Sequence, residues 1–195
     1  MMNEAALIAQ GVQGSVEAFN QLVLHYQQAA YNVAYRILGD ADAATDATQD
    51  AFIRCYNALD QFHGPTLRPW LLRIVTNCCY DQLRARFRRP ATPIDDLVED
   101  EEASYLLRDD QPSPEQVLEQ SDLNSLLQNA LAQLPPEQRA VVVLADIEQM
   151  SYEEIALVMS LALGTVKSRL NRARSKLRDY MLAHKEQLPD RYRLS

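Results

Sequence analysis

The sequence predicts an all-α chain made of two small helical domains joined by an acidic connector. Three observations predict it. Apolar residues recur at helical spacing along most of the chain, with no strand-like alternation and no internal repeat. Ser151 to Arg178 (SYEEIALVMSLALGTVKSRLNRARSKLR) reads as two short helices about a tight turn. Between the two helical stretches, Asp95 to Asp122 holds eleven acids against Arg108.

The elements follow in order. Residues 3–10 read as a short helix, and Gly11 and Gly14 bracket a turn. Ser15 caps the next helix, whose apolar stripe is Phe19, Leu22, Val23, Tyr26, Ala30, Val33 and Ile37. Gly39 is its stop. Asp40 opens another helix, with Ala44, Ala47, Ala51, Cys55 and Leu59 on a small apolar face. Asp42, Asp46, Gln49 and Asp50, then Arg54, lie opposite. The acids favour its N-terminal half, as the helix dipole prefers. This face reads either as a solvated surface or as a docking surface for a basic partner.

Gln61 to Arg68 is a loop broken by Gly64 and Pro65, and Pro69 suits the first turn of the helix from Trp70 to about Arg88. Leu71, Ile74, Val75, Cys78 and Cys79 face inward. Arg73, Asn77, Tyr80, Arg84 and Arg88 share a polar face that can bind phosphates, read base edges and stack on an unpaired base. Trp70 reads as core. Residues 91–120 read as a flexible linker, with a helical turn near Ala103–Leu107. Beyond it Leu123, Leu126, Leu127, Ala130, Leu131 and Leu134 make a helix. Pro135-Pro136 restart the chain toward Val141, Val142 and Leu144. Ser151 and Glu154 form a capping box. After the break at Ser160-Leu161, Val166, Leu170, Ala173 and Leu177 bury one stripe. Lys167, Arg169, Arg172, Arg174, Lys176 and Arg178 lie on the other faces, which suits the DNA major groove. The tail after Ala183 is polar and is expected to fray.

Net charge is −8, yet its distribution is segmented. Six arginines stand against Asp81 between Arg68 and Arg89, and six bases with no acid lie between Lys167 and Arg178. Two basic patches around an acidic connector point to nucleic acid despite the total. No run approaches the ~20 apolar residues of a membrane span, so a cytoplasmic protein is expected. Cys55, Cys78 and Cys79 form no disulfide framework or CxxC pair and read as core residues. No enzyme signature is present: there is no phosphate-cradling glycine loop, no HExxH and no GxSxG. His25, His63 and His184 stand apart, and Asp42, Asp46 and Asp50 lack a second cluster, so neither metal nor cofactor is expected.

Three segments carry a family resemblance: Gly39 to Tyr56 (GDADAATDATQDAFIRCY), Phe62 to Asn77 (FHGPTLRPWLLRIVTN), and Leu134 to Leu177 with LPPEQR, SYEEIA and GTVKSRLNRAR. In their order and spacing the chain resembles an extracytoplasmic-function sigma factor of the sigma-70 family. The resemblance implies that residues 1–90 form region 2, which binds core RNA polymerase and the promoter −10 element. Residues 91–120 would be the connector that runs through the polymerase. Residues 121–185 would be region 4, with its helix-turn-helix on the −35 element. It implies core-polymerase contacts at Asp46, Gln49, Asp50, Phe52 and Arg54. It also implies a loop, Phe62 to Arg68, that captures a flipped base, giving −10 contacts at Phe62, His63, Arg68, Trp70, Arg73, Asn77, Tyr80, Arg84 and Arg88.

On the −35 side, Thr165, Ser168, Arg169 and Arg172 are the candidates for base and phosphate contacts, and Lys167, Arg174 and Lys176 for phosphates. Many members of the family are held by an anti-sigma factor, so that partner is an expectation too. Melting costs a few kcal/mol per extruded base. With no ATPase, that cost must be offset by binding the exposed strand. The sequence departs from the family at Ser160, where glycine is common, at the apolar Leu161-Ala162-Leu163, at Pro65 and at Pro69. Two other readings remain. One is a conventional helix-turn-helix regulator acting without polymerase. The other is a polymerase-docking adaptor that does not read DNA.

Overall fold

Residues 2–88 and 114–188 are described in a computed structural model of the chain. The helical turn expected near 103–107 lies outside them. Every regular element among the described residues is helical.

The first half is built by local capping and small-residue packing. Asn3 caps α1 (Glu4–Val12), its side chain accepting from the Ala6 amide at 3.1 Å. Gly11, expected in a turn, is inside this helix. A β-carbon there would stand 2.8 Å from Leu59 Cδ2, so this glycine marks a close helix contact. Gly14, at φ 92°, makes the turn instead. Ser15 caps α2 (Val16–Leu38), and Gly39 ends it in the left-handed region at φ 74°. Asp40 caps α3 (Ala41–Asn57), accepting from the Ala43 amide at 2.7 Å. Ala44, Ala47, Ala51 and Cys55 are fully buried along one face of α3, which packs between α2 and α4 (Leu67–Arg88). A 3₁₀ turn, Leu59–Gln61, leads into the loop before α4.

The start of α4 is held from a distance. Glu4 Oε1 accepts from the Leu67 amide at 2.6 Å and from the Tyr26 hydroxyl at 3.1 Å. A carboxylate at a helix N-terminus complements both the orphan amides and the dipole. Burial, with the Glu4 charge next, pushes the Tyr26 phenol up to about 12.

The second half begins with α5 (Pro114–Ala132), which starts inside the 91–120 stretch read as linker. A proline at the first helical position has no amide to waste, so Pro114 opens this helix. Then come α6 (Pro136–Val142), a wide π turn (Val143–Ile147), α7 (Tyr152–Met159) and α8 (Leu163–Ala183). The capping box at Ser151 and Glu154 forms on both sides. Ser160 takes the left-handed conformation at φ 53°, where a glycine is the easier residue. The turn is stabilised as a Schellman motif: the Leu161 amide bonds Ala156 O at 2.9 Å and the Ser160 amide bonds Leu157 O at 3.3 Å. Leu161 packs on the core, which is why this turn is apolar. The chain after Ala183 does not fray at once. His184 stacks on Tyr180 at 4.0 Å, and a 3₁₀ turn covers Lys185–Gln187.

One hydrophobic core runs through both halves, from Phe19 and Leu22 to Val166 and Leu170. Helix α7 packs on α4, while α5, α6 and the π turn lie against α2.

Candidate polymerase and nucleic-acid interfaces

The exposed face of α3 is assembled as the sequence suggests. Asp46, Gln49, Asp50 and Arg54 are exposed and Phe52 is half-buried. Arg54 is tied across to Asp81 on α4 at 3.1 Å, an exposed pair that fixes its direction more than it stabilises the fold. Sequence reasoning named Phe52 on this face but missed the apolar residues around it. Val16, Phe19, Phe52, Ile53 and Tyr56 line a groove of about 270 Å³, with Ile53 59% exposed. The signal was available, since Ile53 follows Asp50 and Gln49 by three and four residues, on the same side of the helix.

The candidate −10 residues divide into two groups. Phe62 packs on Trp70, ring centroids 5.3 Å apart, and both are half-buried against the core. His63, Arg73, Asn77, Arg84 and Arg88 are exposed and Arg68 is half-buried. Arg84 reaches Asp81 at 3.5 Å. Phe87, which the sequence reading passed over, is 82% exposed among these arginines. Two of the arginines reach into the second half. Arg68 donates to Glu148 Oε2 at 2.6 Å and to the Glu148 carbonyl at 3.0 Å. Arg73 donates to Ser160 Oγ at 3.2 Å. Tyr80 does not share the exposed face. Its hydroxyl is buried with no hydrogen-bond partner among the described residues. Burial raises its phenol well above the ordinary range, Glu137 adds to that, and Arg169 opposes it.

Glu148 is itself buried, at 8% exposure. Burial raises its carboxyl above the ordinary value, and the Arg68 guanidinium pulls it back. A further arginine stitches the halves together elsewhere. Arg139 donates to Ile37 O at 2.7 Å, Ala132 O at 3.0 Å and Leu134 O at 3.1 Å. Those carbonyls lie at or just past the C-terminal ends of α2 and α5, the negative ends of their dipoles. Burial lowers its guanidinium below the ordinary value.

On α8, Val166, Leu170 and Ala173 are buried. Lys167, Ser168, Arg172 and Lys176 are exposed, and Thr165 and Arg169 are half-buried. Ser168 Oγ donates to Thr165 O at 3.0 Å. Arg174 forks onto Asp146 through Nε, at 3.0 Å, and Nη2. Its charge is thus neutralised within the protein, whereas Lys167 and Lys176 make no ion pair among the described residues. The three cysteines are buried free thiols, and burial pushes Cys55 and Cys79 up to about 12. No group of His, Cys, Asp and Glu among the described residues could hold a metal ion, and no described helix is long and apolar enough to cross a membrane.

An acidic helix face with an apolar groove beside it, an aromatic loop under a basic helix, and a basic helix-turn-helix are the features of a helical transcription factor. Comparison with known proteins narrows that class. Residues 22–89 match Sigma-70 region 2 and residues 125–177 match Sigma-70, region 4. The chain is 41% identical over 183 residues to the ECF RNA polymerase sigma factor SigE of Mycolicibacterium smegmatis, covering 92% of this chain and 68% of that one. It is 36% identical to the RNA polymerase sigma-H factor of Pseudomonas aeruginosa, over 88% of this chain and 90% of that one. It is 33% identical to the ECF RNA polymerase sigma-E factor of Escherichia coli K12, over 90% and 93%. Among solved structures it is similar to the sigma factor RpoE of Bartonella quintana, crystallised with the anti-sigma factor NepR. There the TM-score is 0.67 at 29% identity, over 85% of this chain and 98% of that one. CnrH, solved with the cytosolic domain of CnrY, gives the same TM-score and identity over 91% and 96%. The chain belongs to the extracytoplasmic-function sigma factors of the sigma-70 family.

Proposed function

We propose that this alternative sigma factor docks core RNA polymerase through the exposed face of α3 and grips promoters at two points. Residues 1–90 act as the polymerase and −10 unit, residues 91–120 as the connector and residues 121–185 as the −35 unit. Asp46, Gln49, Asp50 and Phe52 meet the polymerase, and Arg54 is positioned there by Asp81. The loop from Phe62, the Trp70 ring and the exposed Arg73, Asn77, Arg84 and Arg88 receive the unpaired −10 strand. Stacking and phosphate contacts there offset the few kcal/mol per base that melting costs. On the −35 duplex, Arg169 and Arg172 with Thr165 and Ser168 read bases near the start of α8, and Lys167 and Lys176 hold phosphates. The chain works as an initiation factor in the cytoplasm and catalyses no reaction of its own. An anti-sigma factor, as bound to the Bartonella relative, is the regulator this fold would accept.

The observation that carries the reading is one chain holding an exposed acidic face on its region 2 match and an exposed basic face on its region 4 match. A conventional regulator has no use for the first, and an adaptor has none for the second. The test is run-off transcription with purified core polymerase and genomic promoter fragments. A promoter-specific transcript that needs both chain and core is expected. Its absence, with a positive-control sigma active on the same core, would sink the reading.

A further inference from the structure

We propose that Phe87, in the last turn of α4, is a second stacking point for the unpaired −10 strand, at the opposite end of the helix from the Phe62–Arg68 loop. This inference rests on the assignment of the −10 face above. Phe87 lies outside the three motif segments, and none of the −10 contacts assigned above includes it.

Helical spacing puts Phe87 on that face. Arg73, Asn77, Tyr80, Arg84 and Phe87 follow at steps of four, three, four and three, so one side of α4 carries them all. Arg84, with its side chain 71% exposed, comes one turn before the ring. Arg88 comes directly after it, its Nε donating to the Arg84 carbonyl at 3.3 Å. The Arg86 guanidinium turns away, to Asp40 at 3.3 Å. Phe87 is thus flanked by two exposed cations of the row that faces the strand.

A single exposed apolar side chain is ordinary on a protein surface. Phe87 differs in degree and in place. At 82% it is the most exposed large apolar side chain among the described residues. Leu83, one turn earlier, packs against the core, and Phe87 does not. A flat ring among guanidinium groups is the composition that holds a single strand: the ring stacks on a base while the cations take phosphates. A duplex offers only base edges in its grooves, so an unpaired base is the occupant that a ring face suits. Charge selects in the same direction. The acids of α3 suit a basic protein, whereas the basic rim around Phe87 suits an anion, which the strand supplies. Seventeen residues separate Trp70 from Phe87, a rise of about 25 Å. A strand stacked at about 3.4 Å per nucleotide passes about seven bases over that span, and a stretched strand passes fewer.

Holoenzyme reconstituted from core polymerase and the full chain tests this. The probe is the non-template −10 single strand of a promoter that gives a run-off transcript, with one abasic nucleotide moved along its length. For wild type, fluorescence anisotropy is expected to show two positions where losing the base weakens binding. One is the base held by the loop, and the other lies within about seven nucleotides of it. Phe87→Ala is expected to weaken the intact strand about fivefold or more, and to make the abasic nucleotide silent at the second position alone. Phe87→Trp is expected to keep both positions, because its ring also stacks. Melting by circular dichroism and affinity for core are expected to match wild type in both variants. Unchanged strand affinity in Phe87→Ala overturns the proposal. So does a loss that leaves both abasic positions as sensitive as before, and so does weaker assembly with core, which would make Phe87 a protein contact. A wild-type holoenzyme that gives no transcript overturns the sigma-factor reading and this proposal with it, whereas a transcribing wild type with one sensitive position overturns this proposal alone.

Discussion

The two halves place similar arginine-bearing helices in opposite circumstances. In α4 the arginines nearest its start, Arg68 and Arg73, turn toward the second half and find acceptors there. In α8 the cations Lys167, Arg172 and Lys176 face solvent, while Arg174 and Arg178 are engaged by acids of their own half. A basic helix face is therefore not one kind of object. Its availability depends on what the fold sets opposite it. The halves are also held differently: the capped long helices of the first are brought close by fully buried alanines, whereas in the second the short α6 and α7 are fixed at their ends by carbonyl contacts and a capping box.

The severest way to break this comparison is Arg139→Ala, which removes the donor that ties the ends of α2 and α5 to α6. Three carbonyls lose a charged donor, so urea denaturation is expected to show a loss of about 3 kcal/mol. Gly11→Ala attacks the close packing of the first half alone. Its β-carbon meets Leu59, which is 2% exposed and has little room to move, so a loss of about 1–3 kcal/mol is expected. Ser151→Ala attacks the end-fixing of the second half, with a loss of about 1 kcal/mol.

The capping box also carries a pH signature. The Ser151 amide and then its hydroxyl hold the Glu154 carboxyl below its ordinary 4.5. A depressed acid stabilises the fold fully above its unfolded value and loses that contribution as pH falls through its native value. Wild type should therefore melt above Glu154→Ala at pH 7, and the gap should close as pH drops below 4.5. The smallest effect separates two cations of α8. Lys167→Ala should lower the salt slope of −35 duplex binding by about 1. Arg174→Ala should lower it by less, because Asp146 already neutralises that charge. Equal changes would mean that Arg174 leaves Asp146 when DNA arrives.

What was legible in the sequence was local. Ser15, Asp40 and Ser151 cap helices through amides three residues on, so their signals lie within one turn of chain. The alanine seam of α3 and the buried stripe of α8 followed from periodicity, as did the exposed faces opposite them. What escaped depends on distant partners. Arg68 and Arg73 meet acceptors 80 and 87 residues further along, and no pattern around them announces that. Tyr80 sits at the right step for a polar face, yet its hydroxyl is buried and feels charges from the second half. Gly11 resembles a turn glycine, and its use appears only once Leu59 is beside it. The apolar turn at Leu161 was visible as an oddity, but its reason, a Schellman contact with the core, is tertiary.

The buried cysteines have a consequence for how this factor can be informed. Thiolate is the form that reacts with peroxide, disulfides and alkylating agents. All three thiols lie inside the first half, and Cys55 and Cys79 are pushed to about 12, so at neutral pH almost none of either is thiolate. The cysteines of the folded chain are therefore poor targets for oxidants at neutral pH. A thiol-based signal needs this half to open before its sulfur can take part.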